Sequence, residues 1–236
     1  MVDGELLMMR SEAKKKIDLL NIPIDFMIEQ TFNGLSFEYD AITREEVEKV
    51  FHGTTEGIDE KRIILINNHK NAFYQVVKMV REGILMDEDN LKDLHQILMD
   101  GFKGIGGLYR NVDISIKGSN HTPPSHIKVY DRMKKYIAYC LEGPDDDLFK
   151  YISYCHLQLA KIHPFLDGNG RLARLVLNYY LLKYDFLPVI VTYEERHKYF
   201  KLLEEFKVNK NINPFIEFLV ELEKRALQNV LAKTES

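Results

Sequence analysis

Apolar residues recur at three- and four-residue spacing through most of this chain, the mark of helices with one buried face. Residues 43–52, TREEVEKVFH, open with Thr43 and carry Glu46 three residues on, a capping-box pattern. In residues 58–82, Ile63, Ile64, Ile66, Ala72, Phe73, Val76 and Val77 line one face of a long helix. A shorter helix is expected over 90–101, ending at Gly101. Another runs over 126–142, after Pro123 and Pro124 and before Gly143. The aspartates at 145–147 introduce a helix over 146–162, where negative charge suits the dipole. Segments 170–184, 193–207 and 212–232 complete the set, with prolines and glycines between them. The expected class is all-α.

Residues 108–125 break the pattern. Val112-Asp113-Ile114-Ser115-Ile116 alternates apolar with polar, then Lys117-Gly118-Ser119-Asn120 reads as a turn. The segment is expected to be a short β-hairpin or a plain surface loop, with Ile116, Lys117, Gly118 and Ser119 at its tip. The stretch HGTTEGI, residues 52–58, is the best boundary in the chain. It would divide N-terminal helices (1–52) from a helical body (53–210), with 211–236 as a closing helix.

Composition narrows the class. Of 236 residues, 45% are hydrophobic and 29% charged, the balance of a soluble globular protein. The formal net charge of -4 gives no global positive field to attract nucleic acid. No apolar run approaches the roughly 20 residues of a membrane span. Two cysteines, Cys140 and Cys155, make no disulfide framework and suit a reducing compartment. At the N-terminus the charges follow the apolar patch, the reverse of a signal peptide. A cytoplasmic protein is expected.

The chemistry concentrates in residues 163–174, HPFLDGNGRLAR. Pro164 disfavours helical geometry at His163, so a helix ends there. Asp167-Gly168-Asn169-Gly170 can turn its backbone N–H groups inward and start a new helix. The unpaired N–H groups and positive dipole end of that helix form an anion cradle. Arg171 lies in its first turn, and Arg174 falls three residues on, near the same face. One carboxylate beside a phosphate, Asp167, suits Mg²⁺. His163 is the natural general base. The plainer reading is a glycine-rich turn with a buried histidine, but the joint spacing argues for a nucleotide phosphate site.

This stretch resembles the signature HPFxDGNGRxxR of Fic-domain proteins at all nine fixed positions. The resemblance extends over about residues 30–210. It implies a helical bundle with the motif between two central helices and a β-hairpin flap over the site. It also implies transfer of AMP from ATP to a hydroxyl of a target protein. Carried over, His163 would deprotonate the hydroxyl, Phe165 would anchor the loop, and Asp167 would hold Mg²⁺. Gly168, Asn169, Gly170 and Arg171 would bind phosphate, and Arg174 the γ-phosphate. Gly170 is retained here, whereas Doc, a relative that phosphorylates its target, has an altered loop at this point. Residues 116–121 would form the flap, which pairs with an extended stretch of target. Asn178 lies one turn after Arg174, in reach of ribose or the brake glutamate. Tyr199, with Arg196, matches positions near the nucleotide base. Arg110 would orient the flap or serve as a structural ion-pair residue.

Many such proteins carry an inhibitory helix, [Ser/Thr]xxxE[Gly/Asn], whose Glu pairs with the second motif arginine. Residues 32–47, FNGLSFEYDAITREEV, resemble the frame of the N-terminal type without gaps, which makes Glu38 the candidate brake. Gly34 replaces the Ser/Thr, Tyr39 the Gly and Asp40 the Asn. Glu56 is the other candidate, and Glu38 as an ordinary solvated carboxylate the plain alternative. Besides AMP transfer, the same site is open to AMP removal, to UMP or phosphocholine transfer, and to ATP sensing without transfer. Self-association and self-modification also fit.

Overall fold

The computed structural model describes residues 4–39, 41–102 and 104–233; Asp40, one departure from the inhibitory frame, lies outside them. Ten α-helices follow in order: α1 (Gly4–Lys16), α2 (Ile24–Ser36), α3 (Arg44–Phe51), α4 (Glu60–Arg81), α5 (Glu88–Leu98), α6 (Val129–Glu142), α7 (Leu148–Ile162), α8 (Asn169–Lys183), α9 (Arg196–Asn209) and α10 (Asn213–Lys233). A single 3₁₀ turn, His126–Lys128, leads into α6. The all-α expectation holds, and the helix limits fall within a few residues of those read from periodicity. None of the described helices is long and apolar enough to cross a membrane.

Local signals act as expected at the helix starts. The Thr43 peptide N–H donates to Glu46 Oε2 at 2.9 Å, and the Glu46 N–H donates back to Thr43 Oγ1 at 3.2 Å. Asp147 caps α7 by accepting from the Lys150 N–H at 3.1 Å. The core is built around α7 and α8, with α4, α5 and α2 packed on α8 and α10 packed on α1, α7 and α9. One apolar cluster runs from Leu6 in α1 to Leu227 in α10. A smaller one, including Leu35, Val47, Val50 and Leu65, roots α2 and α3 on α4.

The position of α8 sets up everything that follows. Every residue from Arg171 to Leu182 is buried, so the helix has no solvent face. Two arginines and an asparagine in that span must therefore find partners inside the protein.

The expected hairpin does not form. No strand occurs among the described residues, and residues 108–125 run as an irregular loop. Only its turn is present: the Ser119 N–H donates to the Ile116 carbonyl at 3.1 Å, with Gly118 at φ 78°. Alternation in sequence describes a face, but a strand also needs a neighbour. A side chain of α9 and a backbone carbonyl of α7 hold this loop instead. Asn120 N–H donates to Glu204 Oε2 at 2.9 Å, and Ser119 Oγ bonds the same carboxylate. His121 Nε2 reaches the Lys161 carbonyl at 3.0 Å.

In α10, Glu223 is fully buried and accepts from the Leu187 N–H at 2.9 Å. Burial pushes its pKa up to about 8. The unfolded chain releases this proton near the ordinary carboxylate range, so stability falls as pH rises towards 8. Glu223→Gln should therefore gain on the wild type between pH 5 and 8, by up to about 1.4 kcal/mol per pH unit. Urea unfolding across that range measures the gain; a constant difference would contradict the assignment.

Candidate active site

His163 ends α7 in the left-handed conformation, φ 51° and ψ 61°, out of the right-handed helical region that the following proline disfavours. Its Nδ1 faces the Ala160 carbonyl at 3.4 Å. A carbonyl only accepts, so Nδ1 carries the proton and Nε2 is the basic nitrogen. Burial pushes its pKa down to about 4, and the Lys207 and Arg110 cations add to the shift. The imidazole is thus neutral at pH 7, the form a general base needs.

The loop after it is clipped from within. Asn169 Oδ1 accepts from the Phe165 N–H, and Asn169 Nδ2 donates to the Phe165 carbonyl, each at 2.9 Å. The Asn169 side chain is thereby spent on loop shape, which leaves its backbone N–H for an anion. Gly168 has φ 74°, and a Cβ there would meet Met99 Sδ at 2.9 Å. The first bond inside α8 is Leu172 N–H to Gly168 carbonyl at 2.9 Å. The N–H groups of Asn169, Gly170 and Arg171 precede it and point out of the helix start.

A carboxylate sits beside Gly170 at this helix start. A Cβ on Gly170 would lie 3.1 Å from Glu38 Oε1 and 3.4 Å from Arg174 Nη1. Arg171, 1% exposed, donates from Nε to Glu38 Oε2 at 2.8 Å. Its Nη2 also donates to the Tyr39 hydroxyl at 3.3 Å and stands 3.5 Å from Asp167 Oδ2. Arg174 donates from Nη2 to the Gly34 carbonyl at 2.7 Å and lies over the Phe37 ring at 4.6 Å. Its distance to Glu38 Oε1 is 3.9 Å. Glu38 thus pairs foremost with the first motif arginine rather than the second, because Arg174 is already engaged by α2. Glu38 lies in the turn just past the end of α2, not within the helix. Glu56 is exposed in the turn between α3 and α4.

Two further residues differ from their expected roles. Asn178 is 2% exposed, and both its side-chain groups bond the Val189 peptide, at 3.0 and 2.8 Å. Both side-chain groups are engaged in fixing the 187–192 segment. Tyr199 is 1% exposed, with its hydroxyl 3.1 Å from His156 Nε2 and its ring against Phe37. It supports from the core the turn that carries Glu38, with its ring packed away from solvent. Arg196, on the same helix, lies over the Tyr193 and Phe200 rings at 5.7 and 5.6 Å.

Two supports, His95 and Glu204, escape sequence reading, and a third, Arg110, is the residue expected to orient the flap or form an ion pair. His95 Nδ1 accepts from the Gly107 N–H at 3.0 Å, so Nε2 carries the proton and donates to the Asp167 carbonyl at 2.9 Å. The same ring stacks on Phe165, centroids 3.7 Å apart. Glu204 tethers the 116–120 turn, as described above. Arg110, 3% exposed, donates from Nε to the His163 carbonyl at 2.9 Å and from Nη1 to the Val112 carbonyl at 3.0 Å. It joins the motif loop to the 108–125 loop, while Asp113 stands off at 4.0 Å. Only the buried spacing of His95 in LKDLHQIL hinted at a structural part.

Comparison with known proteins agrees with this architecture. The Fic/DOC family model matches residues 85–181. Protein adenylyltransferase Fic of Nematostella vectensis is 30% identical over 179 residues, 72% of this chain and 41% of the relative. The protein of the same name from Aedes aegypti is 33% identical over 132 residues, 55% of this chain and 26% of the relative. A Fic domain-containing signaling protein from Bacteroides thetaiotaomicron shares the fold, with TM-score 0.85 and 19% identity over 98% of this chain and 97% of that one. Residues 85–181 of the chain form a Fic/DOC family domain. The chain spans less than half the length of the two named relatives.

Burial holds His95, His156 and His163 down to about 4 and His69 down to about 3. Below pH 6.5 the unfolded chain takes up protons these four refuse, so stability falls as pH drops from 6.5 towards 4. Each contributes up to about 1.4 kcal/mol per pH unit. Urea unfolding should show this loss from pH 7 to 5, and a flat profile there would contradict four buried neutral imidazoles.

Proposed function

We propose that this protein transfers AMP from ATP to a hydroxyl side chain, Ser, Thr or Tyr, of a target protein, and that Glu38 restrains the reaction. The observation that carries the reading is the neutral His163 imidazole at the edge of an anion-binding helix start. Phosphate binding alone does not call for a base there. The names of the relatives support the same activity.

In the proposed reaction the target hydroxyl oxygen attacks the α-phosphorus of ATP. The bond from that phosphorus to the bridging oxygen breaks, and pyrophosphate leaves. The hydroxyl proton passes to His163 Nε2. The N–H groups of Asn169, Gly170 and Arg171 hold phosphate oxygens, and the two guanidiniums neutralise charge on the leaving pyrophosphate. Arg174 holds the γ-phosphate. Asp167 is the one acidic side chain at this edge, half-exposed and loosely paired to Arg171. A single carboxylate with phosphate oxygens and water suits Mg²⁺, which would neutralise phosphate charge. Among the described residues no cluster of three acidic, His or Cys side chains forms a self-sufficient metal site.

The brake is a competition for one anion position. Glu38 lies over Gly170 and takes Arg171, so triphosphate has to displace it. Residues 116–121 would pair with an extended target segment, recognition by strand addition.

With α-labelled ATP and Mg²⁺, Glu38→Gly should raise label transfer to the protein itself or to lysate proteins by about tenfold, the worth of a charged hydrogen bond. His163→Ala in the same background should abolish it. Label unchanged in Glu38→Gly would remove the brake. Label kept in Glu38→Gly/His163→Ala would remove the base. The acid limb of kcat/KM should fall near pH 4 to 5, following the depressed His163 pKa of about 4; a limb at 6.5 would place His163 in water.

A further inference from the structure

His69 in α4 is 1% exposed, and neither ring nitrogen has a hydrogen-bond partner. Unpaired buried imidazoles are uncommon because each polar atom loses its water for nothing in return. The surroundings explain what the ring does. A Cβ on Gly34 would lie 2.6 Å from His69 Cε1 and nearer still to Nε2. Those contacts are too close for any side chain at position 34. The ring cannot swing away into water, and its neighbours Leu65, Ile66, Ala72 and Phe73 are packed core residues.

The same Gly34 supplies the carbonyl that Arg174 grips at 2.7 Å. Four residues later the chain reaches Glu38. From the Gly34–His69 contact, we infer that His69 is a positioning residue: its ring sets how deeply the last turn of α2 seats on α4. That depth places the Gly34 carbonyl on Arg174 and the Glu38 carboxylate on Arg171. The pair also accounts for a glycine where the inhibitory frame carries Ser or Thr, since the imidazole fills the space of that side chain. Burial and the Arg174 and Arg171 cations keep His69 neutral, so it acts by shape.

This inference rests on the Glu38 brake, and the test separates the two. Label transfer from ATP, with its ATP dependence, is measured for Glu38→Gly, Gly34→Ser, His69→Ala and Gly34→Ser/His69→Ala. Urea unfolding is measured alongside. Gly34→Ser should lift α2 and raise transfer by about tenfold, with half-saturation at lower ATP. Gly34→Ser/His69→Ala should return to within about twofold of wild type, since one side chain replaces the other. In a Glu38→Gly background, Gly34→Ser should add nothing. If Glu38→Gly itself fails to activate, the brake reading falls and takes this one with it. Activation by Glu38→Gly but not by Gly34→Ser would overturn the His69 assignment alone. So would activation by Gly34→Ser that persists in the double variant. Should Gly34→Ser not fold, Gly34→Ala, which adds only the Cβ, carries the same expectations.

Discussion

Two guanidiniums withdrawn from water at one helix start are the constraint around which this protein is organised. Arg171 is 1% exposed and Arg174 7%, and the N-terminal dipole of α8 adds to their charge. A buried cation without a partner costs several kcal/mol, so the site has to hold an anion at all times. In the free protein that anion is Glu38, with the Gly34 carbonyl and the Tyr39 hydroxyl completing the set. On the proposed function a triphosphate would take the same groups, and catalysis and restraint would be two occupancies of one electrostatic site.

The rest of the fold serves to hold that site open and in register. α8 is surrounded by α7, α4, α5 and α2, which removes solvent from its arginines. Pro164 stops α7, His163 turns the chain in a left-handed conformation, and the Asn169 clip on Phe165 fixes the loop that follows. His95 ties that loop to α5, and Arg110 ties it to the 108–125 segment. Most of these supports bond backbone carbonyls or N–H groups. They fix chain path rather than chemistry.

That division explains what was legible in the sequence. The helices were, because amphipathic spacing and caps such as Thr43 with Glu46 are local signals. The motif loop was, because Pro164, Gly168 and Gly170 impose backbone geometry wherever they stand. Glu38 was within reach only through the register of residues 32–47, since its partners lie 133 residues away. Glu204 and His69 act across long separations and carry no local mark, and His95 carries only its apolar frame in LKDLHQIL. Asn178 and Tyr199 mislead for a related reason. Helical spacing puts Asn178 near Arg174, but α8 is buried all round, so nearness along the helix does not mean facing the ligand; Tyr199, placed by the family pattern, is packed in the core on α9. The alternation at 112–116 describes a strand with no neighbour to pair with, and Glu204 and His121 hold the loop instead.

The central claim is that Glu38 and nucleotide phosphate compete for the same cations. Calorimetric titration of Mg-ATP tests it without turnover, using His163→Ala with Glu38 intact and His163→Ala/Glu38→Gly. Direct competition predicts binding about tenfold tighter when the carboxylate is gone. Equal affinity in the two proteins would show that Glu38 does not occupy the phosphate position, and the account of restraint would fail.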